Sequence, residues 1–123
     1  GFFHSEHRQI PILRFMNPDP ITEIHPETAE KLGIKDGDWI YIETKHGRCQ
    51  QRAKRTAGIH PRVIHSQHGW WFPEEEGAEP SLHGVWKSNC NVLTNDDPDI
   101  CNEVSGGWPL RAFLCKVYKA EKS

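Results

Sequence analysis

Residues 23–48, which read EIHPETAEKLGIKDGDWIYIETKHGR, decide the fold. Pro26 fits the first turn of a helix, where its missing N–H costs nothing, and Gly33 stands where a left-handed C-terminal cap is needed. Asp36-Gly37-Asp38 predicts a turn in which glycine supplies the positive φ. The aromatic and β-branched run Trp39–Thr44 predicts a strand, and His46-Gly47 predicts a hairpin after it.

Further short strands are predicted on both sides of this stretch, at Ile21–Ile24, Arg48–Thr56, Arg62–Gln67 and Ala112–Lys119. Phe2–Pro20 predicts the start of a strand followed by an irregular loop, and Val85–Thr94 predicts one short helix. Short strands separated by glycine and proline turns favour a closed barrel over an open sheet. We therefore expect a mainly β fold, a barrel of roughly six to seven strands with one or two short helices.

Length and charge narrow the class of protein. The 123 residues fit a single domain, residues 1–123, with its own core. The formal net charge of −2 does not indicate a surface for nucleic acid or for a membrane. No apolar run approaches the roughly 20 residues that span a bilayer. Because the chain starts at Gly1 inside an apparent strand, we expect it to be a piece excised from a longer polypeptide.

The reactive side chains indicate no catalytic residue. The four cysteines form no Cys-x-x-Cys pair, so we expect free thiols, with Cys49 and Cys115 inside strands. The sequence also lacks a nucleophile–base–orienter arrangement and a P-loop. A binding role is therefore expected, and three segments are candidates for it.

The first candidate binding segment is Phe3–Gln9, at the end of the first predicted strand. It offers a hydroxyl, two imidazoles and a guanidinium, from Ser5, His4, His7 and Arg8. Arginine can donate two parallel hydrogen bonds to an oxyanion, so this mixture of side chains suits a phosphate or the edge of a pterin. An ordinary polar loop is the alternative.

The second candidate segment is His65–Pro73, where Trp70, Trp71 and Phe72 follow a glycine. Three adjacent aromatic residues are unusual in a solvent-exposed loop, and they can line an apolar pocket, stack on a flat heterocycle or pack against the end of the barrel. His65 and His68 are three residues apart. On a strand they face opposite sides, so a shared metal ion is not expected.

The third candidate segment is Asn89–Pro98, which contains Asn91 and Thr94. Amide and hydroxyl groups can hydrogen-bond to the edge of a purine or a pterin, although the Asn-Asp-Asp-Pro run inside it is equally typical of a turn. Arg111, just before the last predicted strand, is a candidate anchor for a charged group.

Taken in order, these segments resemble the C-terminal dinucleotide-binding domain of molybdopterin oxidoreductases, the dimethyl sulfoxide reductase superfamily. The most specific part of the resemblance is Ala-Glu-Lys-Leu-Gly-Ile-Lys-Asp-Gly-Asp at residues 29–38, and the similarity covers nearly the whole chain. It implies a double-psi β-barrel at the C-terminus of a larger catalytic subunit, with no activity of its own.

The resemblance also implies a cofactor, bis(molybdopterin guanine dinucleotide) carrying molybdenum or tungsten. The family's contact segments correspond here to Phe3, His4, Ser5, Arg8, His68, Gly69, Trp70, Trp71, Asn91, Thr94 and Arg111. The metal ligand and a [4Fe-4S] cluster are expected in upstream domains of the same subunit. An iron–sulfur electron-transfer subunit is a further expected partner, whereas contact with nucleic acid or a membrane is not expected, and the isolated domain is expected to be a monomer.

Two rival classes stay open at this point. The eight histidines also fit a metal-binding module, and the barrel also fits an assembly domain without a ligand. Neither the substrate nor the compartment, cytoplasm or periplasm, follows from these residues.

Overall fold

The sheet is the frame of the computed structural model, which describes residues 7–94 and 114–121. Strands β1 to β5 are Ile21–Ile24, Trp39–Thr44, Gly47–Arg55, Ile64–Ser66 and Lys116–Lys119. Their order across the sheet is β4-β1-β3-β2-β5. Strands β1 and β3 run parallel, and the other neighbouring pairs run antiparallel. The described part of the chain is therefore mainly β, with a mixed sheet.

The helices are all short. Helices α1, α2 and α3 are Pro11–Met16, Pro26–Lys31 and Val85–Ser88, and two 3-10 helices cover Leu82–Gly84 and Cys90–Leu93. No helix among residues 7–94 and 114–121 has the length and apolar character needed to cross a membrane.

Helix α2 ends as its sequence predicts. Gly33 takes a φ of +67°, a conformation that favours glycine. The N–H groups of Gly33 and Ile34 donate to the carbonyls of Glu30 and Ala29, at 3.1 and 2.8 Å. This pair of hydrogen bonds is a Schellman motif, which satisfies carbonyls that the end of the helix leaves free. The motif turns the chain so that Ala29 and Ile34 are both buried against the sheet.

The core has two parts, which share contacts with Ile64. The first joins α2 to the sheet and contains Ile24, Ala29, Ile34, Ile40 and Ala53. The second contains Ile42, Cys49 and Leu93. Since Leu93 belongs to the 3-10 helix Cys90–Leu93, that helix is part of the core.

The sequence predictions hold for the central stretch and differ outside it. Helix α1 replaces the irregular loop predicted before Pro20, because Pro11 occupies a first-turn position where its missing N–H costs nothing. Strand β4 is shorter than Arg62–Gln67, and β5 begins after Cys115, which was predicted to lie inside a strand.

The segment predicted as one short helix is divided. Asn89 has an extended backbone, with φ −78° and ψ 121°, and it separates α3 from the 3-10 helix Cys90–Leu93. The described residues thus hold five strands and three α-helices, where the sequence predicts roughly six to seven strands and one or two helices.

Replacing Ile40 by alanine tests the main core. Ile40 is fully buried, so Ile40→Ala is expected to lower the free energy of unfolding by about 2–5 kcal/mol, measured by urea denaturation. The matched control is Ile12→Ala on α1, where the side chain is 63% exposed and the expected change is within about 0.5 kcal/mol. Equal losses in both variants would contradict the described core.

Candidate functional site

The three candidate binding segments attach to one end of the sheet, where β1 begins and β2 turns into β3. The N–H of Gln67 donates to the carbonyl of Ile21 at 3.0 Å. This hydrogen bond places the second candidate segment, which we call the His68 segment, at the start of β1. The hydroxyl of Thr44, the last residue of β2, donates to the carbonyl of Leu93 at 2.8 Å. The guanidinium of Arg8 donates to the carbonyl of Pro18, just before β1, at 2.9 Å. We call this end of the sheet the loop end.

The side chain of Gln51 joins two of these segments. Gln51 is fully buried in β3, and its Oε1 accepts a hydrogen bond of 2.8 Å from the hydroxyl of Thr22. Its Nε2 donates to the carbonyls of Gln67 and Ser88, at 2.8 and 3.2 Å. Gln67 immediately precedes His68, and Ser88 ends α3, just before the Asn91 segment. One buried amide therefore fixes the start of both segments.

The role of Gln51 was not predicted from the sequence, although a signal was present. Residues on a strand alternate between its two faces, so Gln51 shares a face with Cys49 and Ala53. Both neighbours are buried, and a polar residue between them must find hydrogen-bond partners inside the protein. An amide in the middle of an inward-facing row is the pattern that identifies such a residue.

Arg8 and Trp70 form a buried pair beside this junction. Each is 1% exposed, and the guanidinium carbon of Arg8 lies 4.5 Å from the ring centre of Trp70. The Nη2 atom of Arg8 donates to Oε1 of Glu74 at 3.2 Å. Burial lowers the pKa of Arg8, and the negative charge of Glu74 opposes that effect. The guanidinium therefore holds the loop that contains Trp70 and Glu74 against the segment that precedes β1.

The predicted contact residues of the first two candidate segments thus differ in what they offer to a ligand. Arg8 and Trp70 are enclosed by protein groups, whereas His68 is exposed and Trp71 is half-buried. The ring of Trp71 meets His83 edge-on, with 5.6 Å between ring centres. Gly69 lies between the exposed His68 and the buried Trp70. Its φ of +64° lets the chain turn at this point.

The Asn91 segment is held by local hydrogen bonds and by close packing. The side chain of Asn89 accepts from the N–H of Asn91 at 2.9 Å, and the hydroxyl of Thr94 donates to the carbonyl of Asn91 at 2.8 Å. A Cβ atom on Gly47 would lie 2.6 Å from the carbonyl oxygen of Val92, so the β2–β3 turn needs glycine at this position. Asn91 itself is exposed on this rigid support.

The remaining predicted contacts, Phe3, His4, Ser5 and Arg111, lie outside the described residues. For the histidines, the structure gives His65 an ion-pair distance of 3.5 Å to Glu23. Among residues 7–94 and 114–121, no group of three or more His, Cys, Asp or Glu side chains is placed to hold a metal ion.

Comparison with known families shows to which family the chain belongs. Residues 1–107 match the family described as "Molydopterin dinucleotide binding domain". The chain belongs to this family. The resemblance to the dimethyl sulfoxide reductase superfamily is thereby confirmed, and the role that the family shares is to bind a molybdopterin dinucleotide.

Relatives of this molybdopterin dinucleotide-binding domain are much longer than the chain. It is 42% identical to dopamine dehydroxylase of Eggerthella lenta over 97% of the chain, which is 11% of that protein. It is 37% identical to acetylene hydratase of Syntrophotalea acetylenica over 95% of the chain, which is 16% of that protein. The solved structure of acetylene hydratase from Pelobacter acetylenicus superposes with a TM-score of 0.87 at 36% identity, covering 96% of this chain and 16% of that one.

Replacing Gln51 by leucine tests the junction between the two segments. Gln51→Leu leaves the carbonyls of Gln67 and Ser88 without this donor and is expected to cost about 1–3 kcal/mol of stability in urea denaturation. The control, Lys54→Leu, changes an exposed side chain on the other face of β3, and the expected change there is within about 0.5 kcal/mol. A loss in the control as large as that in Gln51→Leu would refute the role assigned to Gln51.

Proposed function

We propose that this domain caps and orients a bis(molybdopterin guanine dinucleotide) cofactor, carrying molybdenum or tungsten, in the catalytic subunit of an oxidoreductase. The proposal rests on how the candidate binding segments are held at the loop end of the sheet. There, a single buried amide of Gln51 anchors both the His68 segment and the Asn91 segment. Support of this kind holds exposed polar groups in fixed positions, as binding a large and rigid ligand requires.

The residues at the loop end divide into contact groups and supporting groups. In the proposal, the amide of Asn91, the hydroxyl of Thr94 and the ring of His68 face the cofactor, because these side chains are exposed or half-buried. The N–H of Gly69 and the face of Trp71 complete this set. When bound, the cofactor supplies the redox chemistry, and the protein groups orient it and tune its hydrogen bonding.

Arg8 and Trp70 act as positioning residues in this proposal. The charge of Arg8 is already balanced by Glu74, and both Arg8 and Trp70 are buried. Neither is therefore expected to touch the cofactor directly. Their pairing instead holds the loop that carries His68 and Trp71.

The charge of the cofactor is a reason to propose Arg111 as a contact. A dinucleotide carries anionic pyrophosphate groups, which need positive or N–H donors nearby. Because Arg8 pairs with Glu74, Arg111 is proposed as the main positive charge that neutralises the pyrophosphate. Phe3, His4 and Ser5 are proposed as the remaining contacts, with the hydroxyl of Ser5 and adjacent N–H groups on phosphate or pterin oxygens.

The domain is proposed to be the C-terminal part of its catalytic subunit, residues 1–123 forming one double-psi barrel of roughly six to seven strands. The coverage of only 11% and 16% of two relatives supports a larger parent protein. Helix α1 supports it as well, since it has no buried residue and leaves Phe15 83% exposed and Met16 70% exposed. Upstream domains, which also carry the metal ligand and a [4Fe-4S] cluster in this proposal, are expected to cover that apolar face. An iron–sulfur subunit is the proposed electron-transfer partner.

Substitution of Arg111 in the full-length catalytic subunit tests the cofactor role. Loss of one charged contact is expected to weaken cofactor binding by about 1.5–3 kcal/mol, which corresponds to roughly tenfold to a hundredfold. Arg111→Ala should therefore retain less molybdopterin and less metal after purification, measured by pterin fluorescence and by elemental analysis.

The control for this experiment is Arg62→Ala. Arg62 is an exposed arginine before β4, at the end of the sheet opposite to the loop end, and its loss is expected to leave cofactor content unchanged. Asn91→Ala provides a second test within the described site. Full cofactor content in both Arg111→Ala and Asn91→Ala would favour an assembly role for this barrel.

A further inference from the structure

Two thiols that the cofactor proposal does not use lie in contact beneath the Asn91 segment. The Sγ atoms of Cys49 and Cys90 are 3.9 Å apart. Cys49 is fully buried on β3, whereas Cys90, the first residue of the 3-10 helix Cys90–Leu93, is half-buried. The two residues are 41 positions apart in the sequence, so only the packing of that helix onto β3 brings them together.

The surroundings make the two thiols chemically unequal. The Nε2 atom of Gln51 donates to the sulfur of Cys90 at 3.3 Å. The pKa of Cys90 is lowered, first by its hydrogen bond with Cys49 and then by those with Ser66 and Gln51, against the opposing effect of burial. The thiol of Cys90 also donates to the carbonyl of Gln67 at 3.3 Å. The neighbouring thiol of Cys90 and burial both raise the pKa of Cys49. Because Cys90 is half-buried and Cys49 is fully buried, Cys90 is the sulfur that an oxidant reaches first.

We propose that Cys90 and Cys49 form a thiol-oxidation site, in which a hydroperoxide oxidises Cys90 and Cys49 then closes a disulfide. The sulfur of Cys90 attacks the terminal oxygen of the hydroperoxide, an S–O bond forms, the O–O bond breaks, and the alkoxide leaves as an alcohol after taking a proton. The sulfur of Cys49 then attacks the sulfenic acid at Cys90. An S–S bond forms, the S–O bond breaks, and the released hydroxide leaves with the proton of Cys49 as water.

The positions of the two residues suit these two steps. A small oxidant needs access to the first sulfur only, and Cys90 is the more exposed of the pair. The second sulfur must be close by but sheltered, as Cys49 is. Closing the disulfide draws the sulfurs from 3.9 Å to about 2.05 Å and ties the 3-10 helix Cys90–Leu93 covalently to β3. The oxidation itself does not depend on the proposed cofactor role.

Mass spectrometry of the oxidised chain tests the proposal. The reduced 123-residue chain is treated with hydrogen peroxide, its remaining thiols are blocked, and non-reduced peptides are mapped. We expect one disulfide, between Cys49 and Cys90, and two of the four thiols to remain. In Cys49→Ser, dimedone should label Cys90 as a sulfenic acid, and in Cys90→Ser the thiol of Cys49 should survive the treatment.

Two further measurements complete the test, one on the unmodified chain and one on a control variant. In the unmodified chain, the thiols of Cys49 and Cys90 should be lost together on peroxide treatment, whereas the exposed thiol of Cys115 should still be available to an alkylating reagent afterwards. The control variant Cys115→Ser should form the same disulfide as the original chain. Preferential oxidation of Cys115, or loss of one thiol of the Cys49–Cys90 pair without the other in the unmodified chain, would overturn the proposal.

Discussion

The hydrogen bonds of the buried Gln51 amide are the interaction on which the rest of the structure depends. An amide in an apolar interior is costly unless its donors and acceptor are satisfied, and here Thr22, Gln67 and Ser88 provide the partners. These partners come from β1, from the chain after β4 and from the end of α3. The need to satisfy one polar group thus brings three distant parts of the chain into a single arrangement, and the alternative packings that leave the amide unpaired are disfavoured.

The Asn91 segment is built into the core, which explains how an exposed amide can be held rigidly. Leu93 packs with Ile42 and Cys49, and the turn at Gly47 leaves no room for a Cβ against the carbonyl of Val92. A binding residue on such a segment needs little ordering when its ligand arrives, so less of the binding energy is lost to entropy. The same packing creates the contact between Cys49 and Cys90, so the rigidity of the segment and the proposed oxidation site have one structural origin.

The pairing of Arg8 with Glu74 shows why residue type alone is a weak guide to a binding role. From the sequence, Arg8 is a natural ligand for an oxyanion. In the fold, its guanidinium is covered by Trp70, its charge is balanced by Glu74, and two of its hydrogen bonds go to the carbonyls of Asn17 and Pro18. A buried charge needs a partner and hydrogen bonds, and Glu74, Asn17 and Pro18 supply them from within the protein.

The sequence by itself determined the central elements, since β1, α2, β2 and the hairpin follow from local signals such as the cap at Gly33 and the aromatic and β-branched run Trp39–Thr44. It also determined the family, because the run at residues 29–38 and the order of the segments after it are specific. Only the tertiary structure decided that Arg8 and Trp70 are buried, that Arg8 pairs with Glu74 and that Gln51 joins the loops. Local preferences set the backbone of a short segment, but whether a side chain is buried, paired or exposed depends on residues tens of positions away, which no local pattern contains.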